Sequence, residues 1–471
     1  MKSRFYLFLC LLASVGCSTR PAAPEVVLSG LYQDLAQVES PDRNPVIVIP
    51  GILGSKLRDA KTGELVWGGF ESRAAKRASQ GIALPIDPSL PLSGLRDDLV
   101  PDGVLESLRV SVAPGLRVEG TAYRAILKAL GAGGYRDQSL GEAGGIDYGT
   151  DHFTCFQFSY DWRRSCAENA ALLHDFILQK KALVERENQK RFGRPGKVRF
   201  DLVAHSMGSL ITHYYLRYGN QSLQADAAPA LNWRGADLVD KAILVAPPNA
   251  GSIQSLLYLL QGFRVAPATP YFSPVVIGTM PGVYELLPRK RHRILWADND
   301  PVKAPLDSLD LDLWDYWDWG LLDQSLDMVL QTLLPHLSSP EARQAAARDQ
   351  VRKCLDNARR FQEAIDRPAT PPAHLRMILF AGDNRLTSAG AAITGHRIRV
   401  DEFAPGDGVV PRYSALFDEG FALRPAANRL RSPVGWTDVH FLQNEHIALT
   451  EDLSFTDTLL FLLLQERAGP R

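Results

Sequence analysis

Between residues 198 and 218 the chain changes character twice within a few residues. Val198 to Val203 is a short apolar run, Ala204-His205-Ser206-Met207-Gly208 follows, and a helical pattern extends from Ser209 to Tyr218. A serine flanked by small residues where a strand turns into a helix is a severe constraint. The turn is so tight that a larger side chain on either flank collides with neighbouring backbone. The pattern is Gly-x-Ser-x-Gly with Ala204 at the first position, and alanine is the least costly replacement there. Such a turn lifts Ser206 above the end of a sheet at a helix N-terminus, where partial positive charge favours a developing anion. Ser206 is therefore the candidate nucleophile; the competing reading is a serine that only caps the helix.

The rest of the chain suits this setting. Short apolar or β-branched runs stand before turns at Val46 to Ile49, Phe156 to Tyr160, Val198 to Val203, Ala242 to Val245 and Met377 to Phe380. Runs of this kind read as parallel strands buried on both faces. Helical patterns separate them at Tyr123 to Leu130, Ala167 to Phe192 and Ser209 to Tyr218, so the expected class is α/β, specifically an α/β-hydrolase fold with a mostly parallel central sheet. Two intervals are too long for simple crossovers. Residues 55–152 form an excursion with little strand pattern, and residues 252–373 form a cap insertion with helical stretches near Leu321 to Leu334 and Glu341 to Ile365. Insertions at strand ends usually shape the site. Within the second, Trp314, Tyr316, Trp317 and Trp319 alternate with Asp312, Asp315 and Asp318, a density that reads as packing, with an acyl channel or a membrane-interface contact as the alternatives.

Serine needs a base to take its proton and an acid to orient that base, and in this fold class the chain order is serine, acid, histidine. That order discards His205 and His213. Asp407, in Pro405-Gly406-Asp407-Gly408-Val409-Val410-Pro411, is the first acid candidate, and Asp383, just after the strand ending at Phe380, competes with it. His446, which opens an apolar C-terminal segment, and His440, in a strand-like alternation, are the candidate bases. Two backbone donors must meet the oxyanion. The N–H of Met207 and the N–H of Ile52, in the turn Pro50-Gly51-Ile52-Leu53-Gly54, are the choices.

Composition sets the limits. With 52 Lys and Arg against 53 Asp and Glu the net charge is -1, which leaves no basic field for nucleic acid. The run Arg289 to Arg293 reads as a solvated face. Lys2 and Arg4 precede an apolar stretch from Phe5 to Val15, a leader too short to span a membrane, which needs roughly 20 apolar residues. Ala13-Ser14-Val15-Gly16-Cys17 resembles a bacterial lipobox, with Ser14 where that pattern usually has Leu. The expectation is residues 1–17 as leader, 18–44 as tether and N-terminal segment, and 45–465 as the catalytic domain. The product would be exported to the cell envelope and lipid-anchored at Cys17 on the periplasmic side of a membrane, or secreted. Cys155, Cys166 and Cys354 allow at most one bridge, and buried free thiols are the simpler reading. No metal and no cofactor is expected, because no pair of cysteines or histidines has metal-site spacing.

Pro45 to Leu57, Phe158 to Arg163, Leu202 to Leu210, Leu244 to Ser252, Gly406 to Pro411 and Glu445 to Leu449 together resemble, in order, the lecithin:cholesterol acyltransferase family, with its phospholipid:diacylglycerol acyltransferase and lysosomal phospholipase A2 relatives. Tyr160-Asp161-Trp162-Arg163 is the most family-specific of these segments. The resemblance implies Ser206, Asp407 and His446 as a triad, with His446 preferred to His440. It implies Ile52 and Met207 as oxyanion donors, and Asp161 and Trp162 as residues that shape the substrate site beneath the cap. It implies a lipid ester substrate, with a lipophilic alcohol or water receiving the acyl group; a plain esterase or lipase, or a non-catalytic lipid-binding surface lipoprotein, are the other readings. From this assignment His446→Ala and Asp407→Asn are expected to be severely impaired in ester hydrolysis, while His440→Ala and Asp383→Asn keep most activity. Steady-state turnover of the four purified variants checks this, and reversed phenotypes within either pair overturn the assignment.

Overall fold

The computed structural model describes residues 27–69, 79–113, 116–121, 123–141, 149, 152–265, 269–421 and 429–465. The expected leader, Cys10 and Cys17 lie outside these. Six strands form the central sheet: β1 (Val46–Ile49), β2 (Cys155–Gln157), β3 (Phe200–His205), β4 (Val239–Val245), β5 (Arg376–Gly382) and β6 (Asp438–Leu442). Their spatial order is β6-β5-β4-β3-β1-β2, and every pair is parallel. This is the α/β-hydrolase arrangement read from the sequence.

The apolar runs are continuous because both sheet faces are covered. On β1, Ile47 and Ile49 join the core formed with helices α2 (Cys166–Phe192) and α3 (Met207–Tyr218). Val46 and Val48 point the other way, into a core with Ile126 and Leu130 of α1 (Arg124–Ala132) and Phe455 and Leu459 of α5 (Leu453–Leu464). Alternate side chains of a strand face opposite sides, so each must be apolar when neither side is wet. The α2 helix is framed by its ends. Ser165 caps it by accepting from Ala167, and Gly193 closes it at φ 70°.

Three expectations change. The first excursion holds strands after all: Ser55–Asp59, Leu65–Trp67 and Leu99–Val104 make an antiparallel three-stranded sheet, and Ser107–Ala113 pairs with Leu116–Thr121. They are short, and Ser55–Asp59 carries Lys56, Arg58 and Asp59, which hides the period. In the cap, the stretch around Leu321 to Leu334 is broken into 3-10 turns at Gly320–Leu322 and Gln324–Leu326 and a helix at Asp327–Leu333, because Gly320 takes φ 59° and Asp323 starts a new cap. The run Arg289 to Arg293 is not a free solvated face. Arg289 and Arg291 both pair with Asp366 at the end of α4 (Pro340–Asp366), Arg291 also pairs with Glu419, and His292 is buried. Packing holds for the tryptophans: Trp314 and Trp319 are fully buried, edge to face at 5.5 Å, while Tyr316 is exposed. Cys155, Cys166 and Cys354 are free and buried. No helix among the described residues is long and apolar enough to cross a membrane.

Residues 27–44 lie against the domain; buried Tyr32 donates to the Asp457 carboxylate at 2.7 Å. The cap is fastened from inside by Glu285, a fully buried carboxylate. It accepts from the Ser165 hydroxyl (2.6 Å), the Cys166 N–H (2.7 Å) and the Asn357 amide of α4 (2.8 Å). Burial pushes its pKa up to about 7 against the pull of those donors. A carboxyl whose folded pKa lies above its unfolded value binds more protons when folded, so stability falls as pH rises between the two. The thermal midpoint is therefore expected to drop between about pH 5 and about pH 8, and Glu285→Gln to flatten that slope. Calorimetry across this range checks it; parallel slopes would refute it.

Candidate active site

Ser206 sits where β3 ends, at φ 52° and ψ -124°. A non-glycine residue in that region costs about 1–3 kcal/mol and persists only where its surroundings enforce it. They do so here through close approach. A Cβ on Gly208 would lie 2.3 Å from the Pro50 carbonyl oxygen, so only glycine lets α3 start against the turn after β1. Ala204 lies within the strand with its methyl in the core, which explains why alanine is accepted at that flank. Met207 is the first residue of α3, and N–H groups of a first helical turn have no partner inside the helix.

The base and acid arrive from the far end of the chain. His446 Nε2 is 2.9 Å from Ser206 Oγ, and His446 Nδ1 is 2.8 Å from Asp407 Oδ2. Asp407 follows a long hairpin, Arg385–Thr394 and Arg397–Gly406, that leaves the end of β5. Its other oxygen accepts from the N–H groups of Val409 (2.9 Å) and Val410 (2.7 Å). Gly382 makes room, since a Cβ there would lie 2.5 Å from that of Asp407. Burial alone would raise the Asp407 carboxyl, but the facing His446 and these two N–H groups hold it below the ordinary carboxylate range. The rivals lie elsewhere. Asp383 contacts Arg412 at 3.4 Å, and His440, on β6, stacks on Phe380 with centroids 4.6 Å apart.

The turn carrying Ile52 lies directly beside the serine: a Cβ on Gly51 would stand 2.8 Å from the Ser206 Cβ. Aromatic side chains pin it at residues 50, 51, 53 and 55. Tyr160 donates its hydroxyl to the Pro50 carbonyl (2.8 Å), Tyr123 accepts the Gly51 N–H (2.7 Å), Trp67 donates to the Leu53 carbonyl (2.9 Å) and Trp162 to that of Ser55 (3.2 Å). Leu53 is thereby held at φ 64°. Of these four, the sequence pattern marks only Tyr160 and Trp162; Tyr123 and Trp67 carry no local signal.

Asp161 and Trp162 are spent on the protein itself. Both Asp161 oxygens accept from Arg163, whose guanidinium is fully buried and also forks onto Asp97 at 2.6 and 3.0 Å. Trp162 is buried edge to face against Trp67, centroids 5.1 Å apart. Trp162 spends its N–H on the Ser55 carbonyl and Asp161 its oxygens on Arg163, so their polar groups are bonded within the protein.

With this geometry in view, the comparisons with known proteins become specific. Residues 138–318 match the family model of lecithin:cholesterol acyltransferase. The match holds Asp161, Trp162, Ser206 and Met207, and ends before Asp407 and His446. It bears out the resemblance read from the sequence and supports a lipid-ester hydrolase or acyltransferase in general terms. Among solved structures, one chain of the Tle4-Tli4 complex superposes with a TM-score of 0.52 at 17% identity, covering 90% of this chain and 98% of its own length, a likeness of fold. Lipase 1 from Pelosinus fermentans (13% identity, 91% and 100% coverage) and mature lipase BlEst2 of Bacillus licheniformis (11%, 91% and 95%) superpose at 0.33 and 0.31. No curated protein sequence matches the chain.

Gly208→Ala tests the close approach. The added methyl must separate Pro50 from α3 and so part the two prospective oxyanion donors. Loss of one such donor costs about 10²–10³ in kcat, and a fall of that order is expected in a variant that still folds. Unchanged ester turnover in the folded variant would contradict it.

Proposed function

We propose that this protein is a serine-dependent lipid O-acyltransferase or phospholipase that acts on glycerolipid-type esters through an acyl-enzyme. The observation that carries the reading is the hydrogen-bonded line Ser206–His446–Asp407 at a strained strand-to-helix turn. In this reading Ser206 Oγ attacks the ester carbonyl carbon while His446 Nε2 takes the hydroxyl proton. Asp407 stays ionised, keeps the imidazole in the Nδ1–H tautomer and offsets the charge that forms on it. The carbonyl oxygen, now an anion, lies against the N–H groups of Met207 and Ile52. Collapse breaks the bond to the lipid alcohol, which leaves with the proton from His446. Water or a second alcohol then attacks the acyl-Ser206 ester by the same steps in reverse order.

Burial favours an alcohol. Ser206 is buried, and a site that excludes water would lengthen the life of an acyl-enzyme. An apolar acceptor then gains roughly 0.8 kcal/mol per CH₂ that it buries. Asp161 and Trp162 serve as supports of the oxyanion turn. We further propose that the enzyme works in a bacterial cell envelope, on the periplasmic side of a membrane, with a lipid on Cys17 that keeps it beside its substrates. Cleavage by an ordinary signal peptidase near Gly16 would instead release the protein.

The experiment is to incubate purified protein with labelled phospholipid vesicles, with and without a long-chain alcohol or sterol, following free fatty acid and new ester separately. New ester should rise with acceptor at the expense of fatty acid, and Ser206→Ala should lose about 10^6 in turnover. Fatty acid alone at every acceptor concentration would reduce the reading to phospholipase or lipase. Cleavage of short soluble esters but of no phospholipid would remove the lipid assignment, and activity in folded Ser206→Ala would remove the mechanism.

A further inference from the structure

We infer that His205 and Tyr123 form a positioning pair that locks the turn carrying Ile52 to the loop carrying His446; this rests on the acyl-ester reading above. His205 is buried, and its ring lies 4.8 Å from that of His446, centroid to centroid. Its Nε2 is 3.1 Å from the His446 carbonyl oxygen. A carbonyl only accepts, so Nε2 carries the proton and donates. Its Nδ1 is 2.9 Å from the Tyr123 hydroxyl. A neutral imidazole with Nε2–H has a lone pair on Nδ1, so the phenol donates there and its oxygen accepts the Gly51 N–H at 2.7 Å. One directed line of donors results: Gly51 N–H to Tyr123, Tyr123 O–H to His205, His205 Nε2–H to the His446 carbonyl.

The line is consistent only if His205 stays neutral. A second proton, on Nδ1, would leave the Tyr123 hydroxyl hydrogen without its acceptor. Burial, followed by the neighbouring His446, holds the His205 pKa down to about 3, so the neutral ring is the resident form.

The consequence is geometric. His446 is gripped at its backbone N–H by the Asp407 carbonyl (3.0 Å), at its backbone carbonyl by His205, and at its ring by the Asp407 carboxylate. Consecutive residues at the end of β3 thus divide the work, residue 205 setting where the base stands and residue 206 using it. Through Tyr123 the same histidine holds Gly51, the neighbour of Ile52. Oxyanion donor, nucleophile and base come from segments 154 and 240 residues apart (52 to 206, 206 to 446), and this line joins them without touching the substrate. Neither His205 nor Tyr123 is a catalytic residue; both act through the groups they hold.

The test uses the full chain with Tyr123→Phe, His205→Phe and His205→Gln, reading kcat and KM on a soluble ester, titration of Ser206 with a fluorophosphonate, and the thermal midpoint. Tyr123→Phe removes one oxygen and keeps the ring, so it is the variant least prone to misfold. It is expected to lower kcat by roughly 10–100-fold with KM within about twofold of the parent, a fraction of the loss of a whole oxyanion donor. His205→Phe should lose at least as much. His205→Gln, whose amide N–H reaches the place of Nε2–H without replacing the acceptor at Nδ1, should lose about as much as Tyr123→Phe and clearly less than His205→Phe. The double Phe variant should lose little more than the worse single one, as groups acting in one line do. Tyr123→Phe and His205→Phe turning over within about threefold of the parent would overturn the inference, as would Gln and Phe at residue 205 being equally impaired, the mark of packing alone. Should His205→Phe fail to fold, the Tyr123→Phe result decides. Failure of the acyl-ester reading is told apart by Ser206→Ala, which would then keep its activity.

Discussion

Two backbone segments touch where no side chain fits between them: the turn after β1 and the start of α3. In the sheet β1 and β3 are direct neighbours, with Ile49 opposite Ala204, so the chain leaving each strand emerges side by side at the same edge. The contact of Gly208 with the Pro50 carbonyl, and of Gly51 with Ser206, turns that adjacency into van der Waals contact. Ligand sites of open parallel sheets gather at such carboxyl ends because strand-to-helix turns converge there with helix N-termini. Here the convergence sets the spacing of Ile52, Ser206 and Met207 before any histidine or acid is added. The positive φ of Ser206 and of Leu53 is the local cost of this packing.

The same turn explains the aromatic residues around it. A loop carrying buried carbonyls and N–H groups needs partners for them, and unpaired ones cost about 1–3 kcal/mol each. Tyrosine and tryptophan meet that need while also filling volume, with an apolar body and a single polar tip. Tyr160, Tyr123, Trp67 and Trp162 each spend that tip on one of residues 50, 51, 53 and 55. Two of these aromatics belong to the first excursion and two to the segment after β2, so insertions that look peripheral in the sequence are structural supports of the site. Arg163 extends the support: with its charge divided between Asp161 and Asp97, it joins the Tyr160-to-Arg163 segment to the excursion at Asp97 and Ile82.

What could be read from the sequence follows from how local each signal is. Val46 to Ile49 and the elbow at Ser206 were legible because burial on both faces writes an unbroken apolar run, and a tight turn leaves small residues at fixed offsets. The acid and base were legible as an ordered pair, since Gly406-Asp407-Gly408 marks a sharp turn and His446 precedes an apolar helix. The strand Asp438–Leu442 shows only as an alternation around His440, because it is an edge strand and most of its residues are partly exposed. Excursion strands such as Ser55–Asp59 escaped notice, being five residues or so with Lys56, Arg58 and Asp59 among them. Tyr123 and His205 had no pattern to betray them: they lie 82 residues apart and meet only in space. Chain order excludes His205 as a base, yet the same residue touches the backbone of His446.

The two ionisable groups beside His446 are tuned in opposite senses by one cause and its exceptions. Both are buried, and burial disfavours charge on either. For Asp407 the penalty is outweighed, because its oxygens receive the His446 ring and two backbone N–H groups, so the carboxylate stays charged. For His205 the pull of Asp407 and the hydrogen bond to the His446 carbonyl are outweighed by burial and by the His446 ring, so the ring stays neutral. A charged His205 would sit 4.8 Å from the imidazole that becomes positive in the mechanism proposed above, and the repulsion would oppose that step. Under the proposed mechanism, keeping one neighbour anionic and the other uncharged lets His446 receive a proton from Ser206 with its charge offset on one side and unopposed on the other.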